Sequence, residues 1–320
     1  MEEKLNISIL KTLAYFDLFQ YPLSKEEIHL FLNQQSSAVQ LVQELGRLAD
    51  YRLVFREGPW YSLHDDPVLH EKRRSSNRCA VSMMVLARRI SSFLYLFPYV
   101  RAIGISGSLS KNCADRSSDI DYFIITRKNR LWICRTLMHL FKKLTFLTGH
   151  QKLFCMNYYI DESALCIEEK NIFTATELIT LVPVRGRKIM ADFFRANGWV
   201  RSYLPNYPEM YSDSSYPGTR FSLKRILESI FNNQAGEKLD NYLMRLTTKR
   251  WKTKEEENRL NIKGNRMGLK TGKHFSKPNP VFFQDRVISR YQDSLKDLEE
   301  KIQSAASAGN PQSFLLKEII

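Results

Sequence analysis

Apolar residues recur at helical intervals near the start of the chain, at Ile7, Leu10, Leu13, Ala14 and Phe16 to Leu18. A residue preceding proline is pushed out of the helical region, so this first helix should stop before Tyr21-Pro22. Ser24, with Glu27 three positions on, is a capping-box start that opens a short helix carrying Ile28, Leu30, Phe31 and Leu32. A third helix from about Ser37 sets Val39, Leu41, Val42, Leu45 and Leu48 along one side. Leu53 to Arg56 and Trp60 to Leu63 then flank Glu57-Gly58-Pro59, the pattern of a hairpin with a tight turn. Residues 66 to 99 read as one long linking helix, basic at Lys72-Arg73-Arg74 and apolar through Met83, Met84, Leu86 and Ile90.

From Val100 the period changes. Arg101 to Ile105 and Asp121 to Thr126 read as buried strands, Leu131 to Leu147 as an amphipathic helix, and Leu153 to Ile160 as a third strand. Ala164 to Ile167 suggests a short fourth strand. The spacing then predicts helices at Thr174 to Leu181, Arg187 to Tyr203, Leu223 to Asn232, Gly236 to about Trp251 and Phe283 to Ile302. A basic, glycine-containing connector separates the last two, and residues 304 to 320 form a loose tail rich in small and polar residues. The predicted class is α/β in the α+β sense, a small mixed sheet between two helical regions. Three helices and a hairpin within residues 1 to 65 resemble a winged helix-turn-helix domain. Its third helix carries one basic residue, Arg47, against Glu44 and Asp50, so DNA binding is weakly supported and a partner-docking or intramolecular role is expected.

Composition narrows the class. The 320 residues are 43% hydrophobic and 12% aromatic, enough for two or three folded units. No apolar run approaches the roughly 20 residues of a membrane span, so no membrane partner is expected. The start, Met-Glu-Glu-Lys-Leu, lacks the basic and apolar parts of a signal peptide, and a cytoplasmic location is the expectation. The five cysteines, Cys79, Cys113, Cys134, Cys155 and Cys166, form no CxxC pair, which argues against disulfides and a zinc ribbon. His139 and His150 are too isolated for zinc. A net charge of +14 favours polyanionic partners: nucleotides, nucleic acid or phosphorylated glycans.

The strongest chemical signal is Gly107-Ser108-Leu109-Ser110-Lys111 followed by Ser118-Asp119-Ile120-Asp121. On a strand, residues i and i+2 share a face, so Asp119 and Asp121 point together while Ile120 points into the core. Adjacent carboxylates repel, and a shared divalent cation relieves the repulsion. The plainer reading, a polar loop between two strands, accounts for Asp115 to Ser118 but not for two carboxylates on one face. The stretch Gly104 to Thr126 resembles the DNA polymerase β-like nucleotidyltransferase superfamily, in its minimal form. Its signature is an apolar strand, Gly-Ser, about ten residues, and Asp-x-Asp on the next strand. The resemblance covers residues 100 to 126 firmly and reaches 161 loosely.

That resemblance implies a nucleotidyltransferase core over residues 100 to 182 and a helical region with a basic loop over 183 to 303. It also implies Mg²⁺-dependent transfer of a nucleoside monophosphate from an NTP to a hydroxyl acceptor, which is a small molecule, a protein or an RNA end. Asp119 and Asp121 would hold the metal, Gly107 and Ser108 the phosphates, and Lys111 would add positive charge. The family places a third carboxylate on a neighbouring strand; here the third strand offers Asn157, then Asp161, which an alternating strand would set on one face. Either an enzyme leaning on one metal, an enzyme recruiting Asp161, or a catalytically degenerate nucleotide-binding regulator or scaffold fits. From Arg245 to Lys277 eleven Lys or Arg face three Glu, a net of +8, and Lys270, Lys273 and His274 are candidates for triphosphate or acceptor contact. Arg185 to Lys188, opening a helix, is a further candidate for anion contact.

Overall fold

The computed structural model describes residues 4–115, 118–208, 222–258, 260, 264, 266–280 and 282–307. The N-terminal unit comprises α1 (Leu5–Asp17), β1 (Leu23–Ser24), α2 (Lys25–Phe31), α3 (Ala38–Asp50), β2 (Phe55–Glu57) and β3 (Trp60–Ser62). Local sequence sets both later helix starts. Ser24 and Glu27 exchange capping hydrogen bonds at α2, and Ser37 and Gln40 do the same at α3. Each such cap stabilises a helix by about 1 kcal/mol. The hairpin β2–β3 gains a two-residue third strand, since Leu23 and Ser24 pair with Tyr61 and Trp60. A strand of two residues carries no period, so the sequence gives no sign of it.

After α4 (Pro67–Leu94), with Asp66 capping its first turn, come β4 (Val100–Ser106), α5 (Gly107–Ser110), β5 (Asp121–Thr126), α6 (Leu131–Thr145) and β6 (Cys155–Asp161). Then follow α7 (Ile172–Ile179), β7 (Val182–Arg185), α8 (Arg187–Ala196), α9 (Ser222–Ile230), α10 (Gln234–Glu256), β8 (Met267–Thr271), β9 (Phe275–Pro280) and α11 (Phe283–Ser307). Six strands form one mixed sheet in the order β7-β4-β5-β6-β9-β8, in which only β5 and β6 run parallel. The class is mixed α and β.

Three departures from the sequence reading have physical causes. Val182-Pro-Val-Arg185 is a strand although its central proline cannot donate to a ladder; it lies on the sheet edge, where proline is tolerated. Ala164 to Ile167 makes no strand; the Ile167 amide instead donates to the buried Asn197 side chain at 2.8 Å. The basic connector is in part a hairpin, β8–β9, whose Phe275 and Ser276 pair with Ile160 and Tyr159. Helix α11 continues to Ser307, and of the predicted loose tail residues 308 to 320 lie outside the described residues.

The sheet has a core on each face. Val100, Ile103, Ile105, Ile120, Tyr122 and Ile124 pack with α4 and α6. Phe123, Ile125, Ile160 and Ala102 pack on the other side with α7, α8 and the N-terminal unit, in one continuous apolar cluster. Helix α1 meets α11 through Tyr15 and Tyr291, whose rings are 5.2 Å apart edge to face. No helix among the described residues is long and apolar enough to cross a membrane.

Candidate functional site

The chain leaves β4 through Gly107, whose φ of +71° is accessible to glycine at no steric cost. A Cβ there would collide with the Asp121 carboxylate, so the turn lies directly against that side chain. Ser106 pairs with Asp121 across β4 and β5, which brings the Gly107-Ser108 turn to the first residue of β5. Ser108 is exposed, while its carbonyl accepts the amides of Lys111 and Cys113, each at 3.0 Å, and closes the turn. Lys111 reaches back: its Nζ donates to the Gly107 carbonyl at 3.2 Å and pairs with Glu177 of α7 at 2.7 Å.

Asp121, Phe123 and Ile125 occupy one face of the sheet, and Ile120, Tyr122 and Ile124 the other. The strand proper begins at Asp121, so Asp119 precedes it. Pairing extends one step further, because the Ile120 amide donates to Lys152 and its carbonyl accepts from Cys155. Both carboxylates act on the Cys155 thiol. Burial first, then Asp121 and Asp119, push its pKa up to about 11, against the opposing pull of Lys142. A thiol held neutral is a poor nucleophile. In the native protein at pH 8, the exposed Cys166 should therefore react with iodoacetamide roughly tenfold faster than Cys155. Peptide mapping that finds the reverse order would contradict this placement.

Asn157 is the third-strand residue that the structure brings to the pair. Its Nδ2 donates to Asp121 Oδ1, and its Oδ1 accepts from Cys155 Sγ at 3.0 Å. The reason Asp161 does not join them is a β-bulge. Tyr122 pairs with Met156 and Phe123 with Tyr158, so Asn157 is the unmatched residue and the alternation of β6 shifts there. Tyr158 and Ile160 then pack on the Asp121 side while Met156 and Tyr159 pack on the other. Asp161 pairs with Thr126 at the far end of β5, about 20 Å along the strand from Cys155. It is fully buried and accepts hydrogen bonds from the Asn129 and Ser163 amides and from His274 Nδ1 at 2.8 Å. Its work is to fix the tip of the β8–β9 hairpin.

The hairpin cations are also engaged elsewhere. Lys270 stands three strands from Asp121 and pairs with Glu169 at 2.6 Å, and Lys277 holds the other oxygen of the same carboxylate at 2.8 Å. Lys273 pairs with Glu237 at 3.1 Å, and His274 lies on Asp161. Arg185 bonds Ser92 of α4. The structure thus gathers Gly107, Ser108, Lys111, Asp121 and Asn157, with Asp119 two residues ahead of Asp121 and acting with it on Cys155, and leaves out Asp161, Lys270, Lys273 and His274.

Sequence reasoning missed Glu177, which anchors Lys111 from a helix sixty-six residues downstream, and the Cys155–Lys142 contact at 3.5 Å. It also missed the bracing of the turn from the N-terminal unit. The Lys111 carbonyl accepts the Tyr21 hydroxyl, and the Arg73 guanidinium stacks on the Tyr21 ring at 3.6 Å while pairing with Glu27 at 2.6 Å. No local pattern announces contacts between residues so far apart.

Among the described residues no group of three or more His, Cys, Asp and Glu side chains is placed to hold a metal. Two carboxylates suit Mg²⁺ nonetheless, because that ion commonly takes one or two from the protein and completes its octahedron with phosphate and water oxygens. A carboxylate presents two oxygens with several lone-pair sites, so one bond from Asn157 does not by itself exclude Asp121 as a ligand. The donor set fits. No family model, no curated protein and no solved structure matches this chain.

Proposed function

We propose that the chain binds an NTP at the Gly107-Ser108 turn with Mg²⁺ on Asp119 and Asp121, and transfers the nucleoside monophosphate to a hydroxyl acceptor. The observation that supports this reading is the contact of the Gly107 turn with the Asp121 carboxylate, which brings close-approach backbone and an acidic side chain suited to a metal side by side. Asp119 and Asp121 would hold the Mg²⁺, which would supply positive charge against the departing pyrophosphate. Ser108 offers an exposed hydroxyl and amide to the same phosphates. Lys111 keeps a positive charge beside the turn, with Glu177 fixing its direction. Asn157 orients Asp121 and cannot take the acceptor's proton, so turnover is expected to be slow.

The same asparagine favours a second reading, a nucleotide-binding regulator without transfer. The Tyr21 and Arg73 contacts would then carry occupancy of the turn to the N-terminal unit. DNA is not the favoured output, because Arg47, the single cation of α3, faces Glu44 at 3.6 Å. Melting with each NTP, with and without Mg²⁺, followed by incubation with α-phosphate-labelled NTP and small-molecule, protein and RNA acceptors, separates the readings. A Mg²⁺-dependent shift with label transferred supports the enzyme; a shift without transfer supports the regulator. No shift with any NTP overturns both.

Asn157→Asp tests the crowding at the site. A third carboxylate against Asp121 should destabilise the metal-free protein by about 1–2 kcal/mol through like-charge repulsion. Saturating Mg²⁺ should recover most of that loss. Melting that falls equally with and without Mg²⁺ would show that Asn157 does not border a metal position.

A further inference from the structure

Helices α4 and α6 cover the sheet face opposite Asp121, and their outer sides carry an apolar surface with a cationic setting. Phe141 joins the two helices, its ring 5.0 Å from Phe93 and 5.6 Å from Phe97. Leu137, Leu140, Leu144 and Leu147 follow one another at helical spacing on the outside of α6 and just past its end. Leu140 is 54% exposed, Leu144 62% and Leu147 86%, and across the Phe141 bridge Phe93 is 43% exposed. Isolated apolar residues are ordinary on a protein surface, but a contiguous row of this kind marks an interaction site.

Charge selects the occupant. No Asp or Glu occurs from Lys72 through Ala114, or from Tyr122 through Ile160. Both helices lie within those spans from Lys72 onward, and Arg78, Arg89 and Lys143 are exposed on them. A second copy docking the same face would set the cations of these two helices against one another. Nucleic acid would meet the cations, yet it stacks on aromatic rings and gains little from exposed leucines. Aliphatic side chains interleaved with cations match the headgroup boundary of an anionic bilayer.

We propose that the α4–α6 face seats this protein on an anionic membrane surface. Leu140, Leu144 and Leu147 enter the headgroup boundary, and Arg89 and Lys143 meet lipid phosphates. Lying on a bilayer needs no membrane-crossing helix, and Asp121 belongs to the opposite face of the sheet.

The test is co-sedimentation of the full chain with phosphatidylcholine vesicles and with mixed phosphatidylcholine–phosphatidylglycerol vesicles, at low and high salt. Binding is expected on the anionic vesicles, roughly tenfold weaker on the neutral ones, and weakened by salt. Leu144→Gln with Leu147→Gln should reduce it a further tenfold or so without changing melting, because both side chains are already in water. Absence of binding to anionic vesicles overturns the proposal, as does equal binding by the double variant. A dimer that the same two substitutions dissociate would identify the occupant as a second copy. Displacement from vesicles by duplex DNA, with the double variant unaffected, would identify it as nucleic acid. Either result refutes the membrane assignment.

Discussion

Replacing Asp119 and Asp121 together by alanine should abolish the Mg²⁺-dependent rise in melting temperature that an NTP confers, and leave the unliganded fold intact. A ligand that binds only the folded state at one hundred times its Kd stabilises by about 2.7 kcal/mol, a shift of several degrees for a chain of this size. That stabilisation depends on the metal, which needs anionic oxygen donors from the protein as well as from phosphate. The double variant removes both protein donors, so the whole metal-dependent increment should vanish. The unliganded protein loses the Asn157 hydrogen bond to Asp121, a cost that relief of repulsion offsets. Neither side chain is buried, and removing two neighbouring carboxylates relieves repulsion. Circular dichroism and melting without ligand should match the parent protein to within a degree or two. An NTP shift that survives in the double variant would place the nucleotide elsewhere.

The second large effect concerns the brace between the N-terminal unit and the turn. Arg73 is 4% exposed, and burial lowers its pKa to about 10, so it remains charged at neutral pH. Its guanidinium pairs with Glu27, caps the Tyr21 ring, and lies 3.5 Å from the Lys111 carbonyl. Arg73→Met keeps much of the volume and removes the charge, leaving Glu27 in a low-dielectric interface with no cation beside it. Breaking a buried pair from one side costs about 3–5 kcal/mol, and because burial raises the Glu27 carboxyl to about 7, so that it sheds part of its charge near neutral pH, the expected loss is about 2. Melting should fall by about 3–6 °C. Adding Glu27→Gln removes the stranded charge, and the double variant should be more stable than Arg73→Met alone, a coupling that a double-mutant cycle reads directly. Equal stability of the single and double variants would show that the pair is not a unit. Because Tyr21 and Arg73 both reach Lys111, Arg73→Met should also weaken nucleotide binding, whereas a purely structural pair would leave it unchanged.

What could be read from the residues depended on the distance over which each feature is encoded. The Ser24–Glu27 cap, the end of α1 ahead of Pro22 and the β2–β3 hairpin are each specified within a few residues, and the structure places them where the pattern predicted. The adjacency of Asp121 to the Gly107 turn comes from the antiparallel pairing of Ser106 with Asp121 across residues 107 to 120, which the sequence reading did not state. Features set by pairing between distant segments were not readable. The bulge at Asn157 is a property of the β5–β6 register, and it invalidates the inference that positions 157, 159 and 161 share a face. The β8–β9 hairpin looked like a connector because Lys-Pro-Asn-Pro has no strand pattern; it is a strand because Tyr159 and Ile160 offer an open edge. Charge alone made Lys270 and Lys273 resemble phosphate contacts, while Glu169 and Glu237, far off in sequence, are their partners.

The most direct test is a crystal structure with Mn²⁺ and a non-hydrolysable NTP analogue, read by anomalous scattering. One manganese peak is expected between Asp119 and Asp121, at about 2.0–2.2 Å from an oxygen of each, as for a small octahedral divalent ion. The triphosphate should lie over Gly107 and Ser108. A peak away from those carboxylates, or a nucleotide bound with its phosphates remote from the turn, would contradict the account.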